Sequence, residues 1–369
     1  MINKDRMVKE FTELVQIDSL TFKERKMADT LKAKLSELGI ECYEDDAGAK
    51  IGGNAGNIIA KIDGDKSIPA ILLMAHMDTV VPGEGKKPVV EGDIIKSEGK
   101  TILGADDVSG IECILECIRV LKSGNIKHGD IYAVFTVAEE GGLHGAKNLD
   151  YSKISAKYGF VLDSGGDIGE VNIKAPTQNE IHVTVKGKAA HAGIEPEKGI
   201  NAIQIASEAI ANMKLGRIDS ETTANIGIIN GGKATNIVCD EVIIHAEARS
   251  RQPRKLEEQT QHMKECFMKA AGKFGGSVEF KADLMYPAFE VKEDDEIIYI
   301  LRKAAQECGI ELKLEATGGG SDTNIISSKG IKAVNVSVGM RNVHSVEEYI
   351  KIEDLTKAAE FLLAIIKNV

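Results

Sequence analysis

Short apolar runs that each stop at an acid or an imidazole constrain this chain more than any other feature. "ILLMAHMD" ends on His76 and Asp78, "DIYAVFTVAEE" on Glu139 and Glu140, and "YGFVLDSGG" reaches Asp163. Continuous apolar runs with helical periods between them read as strands of a mostly parallel sheet covered on both faces. The patterning predicts helices over 3–16, 23–38 and 107–123 and strands over 57–62, 70–75, 131–138 and 159–162. After residue 286 it predicts a helix over 294–308, a strand over 333–338 and a terminal helix over 353–367. Between these stretches the texture changes. "EIHVTVKGK" alternates with period two, and a helix, two more alternating strands, a helix over 253–273 and a strand over 276–284 follow. That is the β-α-β-β-α-β order of a ferredoxin-like unit. The expected fold class is α/β, a parallel-sheet domain over 1–176 and 288–369 interrupted by a ferredoxin-like α+β domain over 177–287.

Length and charge narrow the function classes. A chain of 369 residues is long enough for two cores. A formal net charge of -11 argues against nucleic acid or an anionic membrane surface as partner, because both select basic faces. No run is long enough to span a membrane, and the charged, helically patterned N-terminus lacks the apolar stretch of a signal peptide. The six cysteines are scattered among apolar positions, which suits reduced core thiols and a cytoplasmic protein. Cys113 and Cys117 lie four apart, but no further Cys or His cluster accompanies them, so they read as core.

In open α/β sheets, ligands bind beyond the carboxyl ends of the strands. His76, Asp78, Glu139, Glu140, Asp163 and His344 fall at or just after such ends, and Asp106 and Asp107 precede a helix after a short link. Each alone reads as a cap, a surface histidine or solvated charge. Together they are a different matter, because crowded carboxylates repel one another unless a multivalent cation joins them. Imidazole and carboxylate donors without cysteine suit zinc, with manganese or cobalt as alternatives.

The ordered set "HMDTVVPG", "LGADDVSGI", "TVAEEGGLHGAK", "LDSGG", "KAAHAG", "TNIVCD", "AEARS" and "GGGSDTNI…GI…VGMRNVHSVEE" resembles the metallopeptidase family that includes peptidase T, carboxypeptidase G, aminoacylase and succinyl-diaminopimelate desuccinylase. The likeness covers essentially the whole chain, and "LGADD", "AHAG…PEKG" and "GGGSD" are nearest to the peptidase T-like branch. The resemblance implies two divalent metal ions per chain. His76, Asp106 and Asp163 would hold one and Asp106, Glu140 and His344 the other, with Asp106 shared. It makes Glu139 the general base, Asp78 the carboxylate that orients His76, and the link Asp106–Asp107 a cis peptide. It makes 177–287 a lid or dimerisation domain, a route to a homodimer. His191 from that domain would stabilise the oxyanion, in some members from a second subunit. Asn236 and Arg249 would hold polar groups of the substrate, Arg249 by gripping a peptide carboxylate, and Gly318, Gly319 and Gly320 would let backbone approach it. Val108 stands where close relatives tend to have lysine. His128, His144, His182, His245 and His262 match no ligand pattern and read as structural or surface residues.

The activity implied is that of a two-zinc exopeptidase releasing the N-terminal residue of short peptides, tripeptides above all. The same family also contains N-acyl-amino-acid hydrolases and carboxypeptidases. A non-catalytic binding protein on the scaffold is a further alternative, which the joint presence of Glu139 and all five ligands disfavours.

Overall fold

Ile71–His76 is the axis of the larger unit: all six of its residues are buried, as the unbroken apolar run requires. A computed structural model describes residues 1–124 and 126–369 of the chain. Two compact units emerge, one of Met1–Lys174, Glu290–Ala316 and Ser321–Val369, the other of Ala175–Phe289 and Thr317–Gly320.

In the first unit Ile71–His76 pairs in parallel with Ile131–Thr136 on one side and Tyr158–Ser164 on the other. Lys332–Ser337 continues the parallel set beyond Tyr158–Ser164. Antiparallel strands Cys42–Glu44 and Ile58–Ile62 close one edge of this nine-stranded sheet. The sheet is thus mixed, with a parallel centre, and its central strands all present their carboxyl ends at one edge. Helix Ala105–Ser123 is buried along nearly its whole length. It packs on the terminal helix Ile352–Asn368, where the Cys113 and Cys117 thiols donate to the Leu355 and Ala359 carbonyls at 3.8 and 3.3 Å. Both cysteines are free and buried, as the core reading requires.

A whole second sheet of this unit escapes the sequence reading. Pro88–Glu91, Ile94–Ser97, Met340–Arg341 and Tyr349–Lys351 form a small antiparallel sheet. These strands are two to four residues long, and their pairing joins segments some 250 positions apart, so no period announces them.

The second unit is a five-stranded antiparallel sheet, ordered Gly216–Arg217, Thr222–Gly231, Glu241–Ser250, Thr177–Lys186, Ser277–Tyr286. Ile181, Val183, Val185, Val242 and Ile244 point to one face and share a core with helices Ala202–Ala211 and Pro253–Phe274. The alternate residues of the same strands face away from those helices. No described helix is long and apolar enough to cross a membrane.

Candidate metal centre and active site

The parallel register brings His76, the Glu139–Glu140 pair and Asp163 to the same sheet edge. His76 Nε2 lies 2.9 Å from Asp106 Oδ1 and 3.8 Å from Asp163 Oδ1. His344 Nε2 lies 3.1 Å from Asp106 Oδ2 and 2.7 Å from Glu140 Oε1. Asp106 therefore stands between two imidazoles, one oxygen toward each. His76, Asp106 and Glu140 offer ligand atoms within 4.8 Å of one another, as do His76, Asp107 and Asp163. The peptide between Asp106 and Asp107 is cis. Ala138 and His344 have positive φ, 48° and 62°, so the backbone bends sharply where it presents Glu139 and where it presents the second imidazole.

The electrostatics of these side chains test whether ions belong there. Burial opposes ionisation of Asp106, yet its hydrogen bonds to His344 and His76 outweigh this and hold its carboxyl below the usual range. Burial, then the charges of neighbouring acids, push Asp163, Glu139 and Asp107 well above the usual carboxylate range. Two imidazoles are too few positive partners for five clustered carboxyls. Asp322 adds a sixth nearby: its Oδ2 accepts from the Thr136 hydroxyl at 2.6 Å, while its buried Oδ1 has no partner among the described residues. Such a donor set fits divalent ions.

Asp78 presents two groups to His76, its main-chain carbonyl and its carboxylate. His76 Nδ1 meets the Asp78 main-chain carbonyl at 2.9 Å, and the carboxylate is farther, at 3.6 Å. The Asp78 carboxylate also accepts from the Glu139 and Glu140 amides, at 2.9 and 3.2 Å, and from the Thr21 hydroxyl at 2.8 Å. The reason is local. The strand ends at His76, so the backbone carbonyl two residues on lies free beneath the ring, while the side chain reaches the turn that carries both glutamates.

Glu348 was not singled out in the sequence. Its side chain is 1 % exposed. Oε2 accepts from the Leu103 and Gly104 amides at 2.7 and 2.8 Å, and Oε1 from the Asp106 amide at 3.1 Å. One carboxylate thus ties the loop that carries Asp106 to the segment that carries His344. The only sequence signal was its place four residues after a ligand candidate. Asp107 acts similarly, accepting from the His76 amide at 3.2 Å and the Gly110 amide at 3.1 Å. Val108 is 1 % exposed and packed.

The remaining candidates lie in the second unit. His191 sits in a tight turn whose Gly193 amide donates to its Nδ1 at 3.2 Å. An accepting Nδ1 places the proton of the neutral ring on Nε2, leaving an outward donor. The His191 turn pairs with the Asn236 segment, because the Ala192 amide donates to the Asn236 carbonyl at 3.0 Å. Arg249 is less free than expected: its Nε and Nη2 donate to Glu247 at 3.0 and 2.8 Å. Only Nη1 remains, 3.5 Å from the Gly318 carbonyl. Period-two spacing had put Glu247 and Arg249 on one face, which is the signal that was available. A Cβ on Gly320 would lie 2.2 Å from the Tyr286 ring, whereas Gly318 and Gly319 have open space around them.

Fold and cluster together define the class of metal-dependent peptidases. The chain belongs to peptidase family M20/M25/M40, whose pattern matches residues 72–368. It is 51% identical over 368 residues to the protein YqjE of Bacillus subtilis, covering 100% of this chain and 99% of that one. Among solved structures it resembles an aminopeptidase PepT from Bacillus cereus, with 48% identity, a TM-score of 0.92 and coverage of 100% and 99% of the two chains. It also resembles a tripeptidase from Staphylococcus aureus, with 41% identity, a TM-score of 0.96 and coverage of 100% and 98%.

Proposed function

We propose that this chain is a two-metal tripeptide aminopeptidase, hydrolysing the first peptide bond of short peptides that carry a free amino terminus. The observation that carries this reading is Asp106, with one carboxylate oxygen toward His76 and the other toward His344. A carboxylate so shared is what a pair of ions about 3.5–4 Å apart needs. His76, Asp106 and Asp163 would hold one ion and Asp106, Glu140 and His344 the other; zinc suits these donors, with manganese or cobalt as alternatives. When bound, the ions polarise the scissile carbonyl and make a neighbouring water acidic.

The chain's own groups do the rest. Glu139, 8 % exposed, takes a proton from the attacking water and passes it to the departing amine. Asp78 fixes that base by holding its amide. His191, with its proton on Nε2, donates to the carbonyl oxygen as charge builds there. Asn236 and the remaining Nη1 of Arg249 offer polar contacts to the peptide, and the glycines at 318 to 320 leave room for its backbone. The second unit has the lid or dimerisation role, and a homodimer through it is the assembly the family resemblance implies. The six free cysteines support a cytoplasmic location.

The test is hydrolysis of one tripeptide, its N-acetyl derivative, the matching dipeptide and an N-acyl amino acid, each with zinc, manganese or cobalt. Release of the first residue from the free tripeptide, with the acetylated form resistant, is expected. Preference for the N-acyl amino acid would replace this reading by an amidohydrolase, and absence of any turnover by a binding protein.

A further inference from the structure

The face of the second unit's sheet that turns away from its helices carries two histidines that the peptidase chemistry does not use. His182 on Thr177–Lys186 and His245 on Glu241–Ser250 stand directly opposite each other in antiparallel register. Their Nδ1 atoms are 3.0 Å apart. The rings are nearly perpendicular, at 89°, with centroids 4.8 Å apart. Beside His245 the partner strand Thr222–Gly231 has a bulge between Ile226 and Ile228, a local irregularity of the kind that re-aims side chains.

Two imidazoles this close share a single proton, so at least one Nδ1 carries a lone pair. Glu180 settles which. Its Oε2 lies 3.6 Å from His182 Nε2, favouring the proton on that nitrogen and leaving His182 Nδ1 as the acceptor. An imidazole with one N–H toward a carboxylate and a lone pair on the other nitrogen is in the state that ligates metals. The spacing agrees. With metal–nitrogen bonds of about 2.0–2.1 Å, two imidazole nitrogens on one ion lie about 2.9 Å apart at a right angle and about 3.4 Å apart in a tetrahedron.

The surroundings leave the pair accessible. Lys281, opposite His182 on the next strand, is ion-paired with Asp283 at 2.6 Å. Glu247 is held by Arg249 and Gln178. His182 keeps 38% of its side chain exposed, so a ring can turn by a small angle; the ion takes the place of the shared proton, which leaves His245 Nδ1 for water, and the two Nδ1 lone pairs then meet at one point. Water supplies the remaining ligands.

We propose that His182 and His245 form a metal site of their own, a cross-strand bis-imidazole chelate for a divalent transition ion. Copper(II) binds most strongly by the usual order of these metals, with nickel(II) and zinc(II) behind it. The ion bridges the two adjacent strands of this unit and so stabilises their pairing. The site does not depend on the peptidase reading, since none of its residues belongs to the acid cluster.

Nickel(II) is the probe, added to the full-length protein carrying two equivalents of zinc, enough for the acid cluster alone. Calorimetry of the parent is expected to show one further nickel site. His182→Ala and His245→Ala should each weaken it by more than about 100-fold, and Glu180→Gln by roughly 10–100-fold, the usual effect of losing a ligand's outer partner. Peptide hydrolysis without nickel should be unchanged in all three. Nickel added below stoichiometry should also broaden the ring signals of His182 and His245 before those of other histidines, a readout that needs no variant to fold. An isotherm that is the same in parent and alanine variants, or broadening that begins at other histidines, overturns the proposal.

Discussion

Glu348→Gln separates a positioned shared carboxylate from an accidental gathering of acids. The parent side chain is 1 % exposed and accepts three backbone amides, two at Oε2 and one at Oε1. Glutamine keeps the volume. With its carbonyl oxygen in the place of Oε2 it keeps the bonds from Leu103 and Gly104, but its NH2 then faces the Asp106 amide, donor against donor. A charge-assisted hydrogen bond contributes about 1.5–3 kcal/mol, and leaving its buried donor unpaired costs about 1–3 kcal/mol. The two overlap, so a total of about 2–4 kcal/mol is expected, equivalent to roughly 30- to 700-fold if all of it falls on one binding step. Part will appear as lower stability of the metal-free protein and part as weaker binding of the ion that Asp106 and His344 share. Thermal melting without metal measures the first, and zinc calorimetry the second. The variant should melt lower and lose at least one order of magnitude in affinity for one of its two ions. Parental melting together with parental affinity for both ions would refute the reasoning.

Glu139→Gln spares both ligand sets, so it should bind two ions and tripeptide at parental affinity while turnover falls by at least about 10²–10⁴-fold; loss of an ion would reassign the glutamate pair. Asp78→Ala should weaken zinc binding or turnover by about 10–100-fold, through the loosened Glu139 and Glu140 amides as much as through His76, and unchanged kinetics would make it incidental. His191→Ala should lower kcat by up to about 10²–10³-fold at constant metal content, measured by steady-state hydrolysis beside elemental analysis. Glu112 supplies a test by pH. Both of its buried oxygens lack a hydrogen-bond partner among the described residues, and burial, then the charge of Glu10, push its carboxyl well above its ordinary value. The native state therefore holds a proton that the unfolded chain has released, and stability falls as pH rises above about 4.3, the ordinary glutamate value. Glu112→Gln should melt higher than the parent at pH 8, with the gap closing toward pH 4; a constant gap would remove Glu112 as its source.

Much of the architecture is legible because burial writes itself into periodicity. Ile71–His76 is buried on both faces and therefore apolar throughout, and the second unit's strands are buried on one face and therefore alternate. The Asp78 carboxylate was legible as part of the site, but its bonds to the Glu139 and Glu140 amides were not, since sequence does not show which turn a side chain will reach. Glu348 was hidden for a related reason. In "VEE" it looks like solvated charge, and only the folding of residues 103–106 onto it, more than 240 positions away, reveals what it holds. Thr317–Gly320 belongs with the second unit although its neighbours on both sides belong with the first, a fact of packing that leaves no local signature beyond its glycines. Arg249 shows the opposite limit: its type invited a role in gripping carboxylates, and the structure commits two of its nitrogens to Glu247.

The distance in sequence between Asp106 and its partners sets when the cluster can first exist. A chain emerging from the ribosome presents His76 and Asp106 before the parallel centre of the sheet can gain Lys332–Ser337. His344 and the Glu348 that steadies Asp106 follow later still. Pairings of such high sequence separation form slowly, after the loop between them has been closed. Copies that stop short of His344 therefore cannot assemble the full set of acids and imidazoles. The order of synthesis thus withholds the complete cluster from any chain that has not yet passed His344.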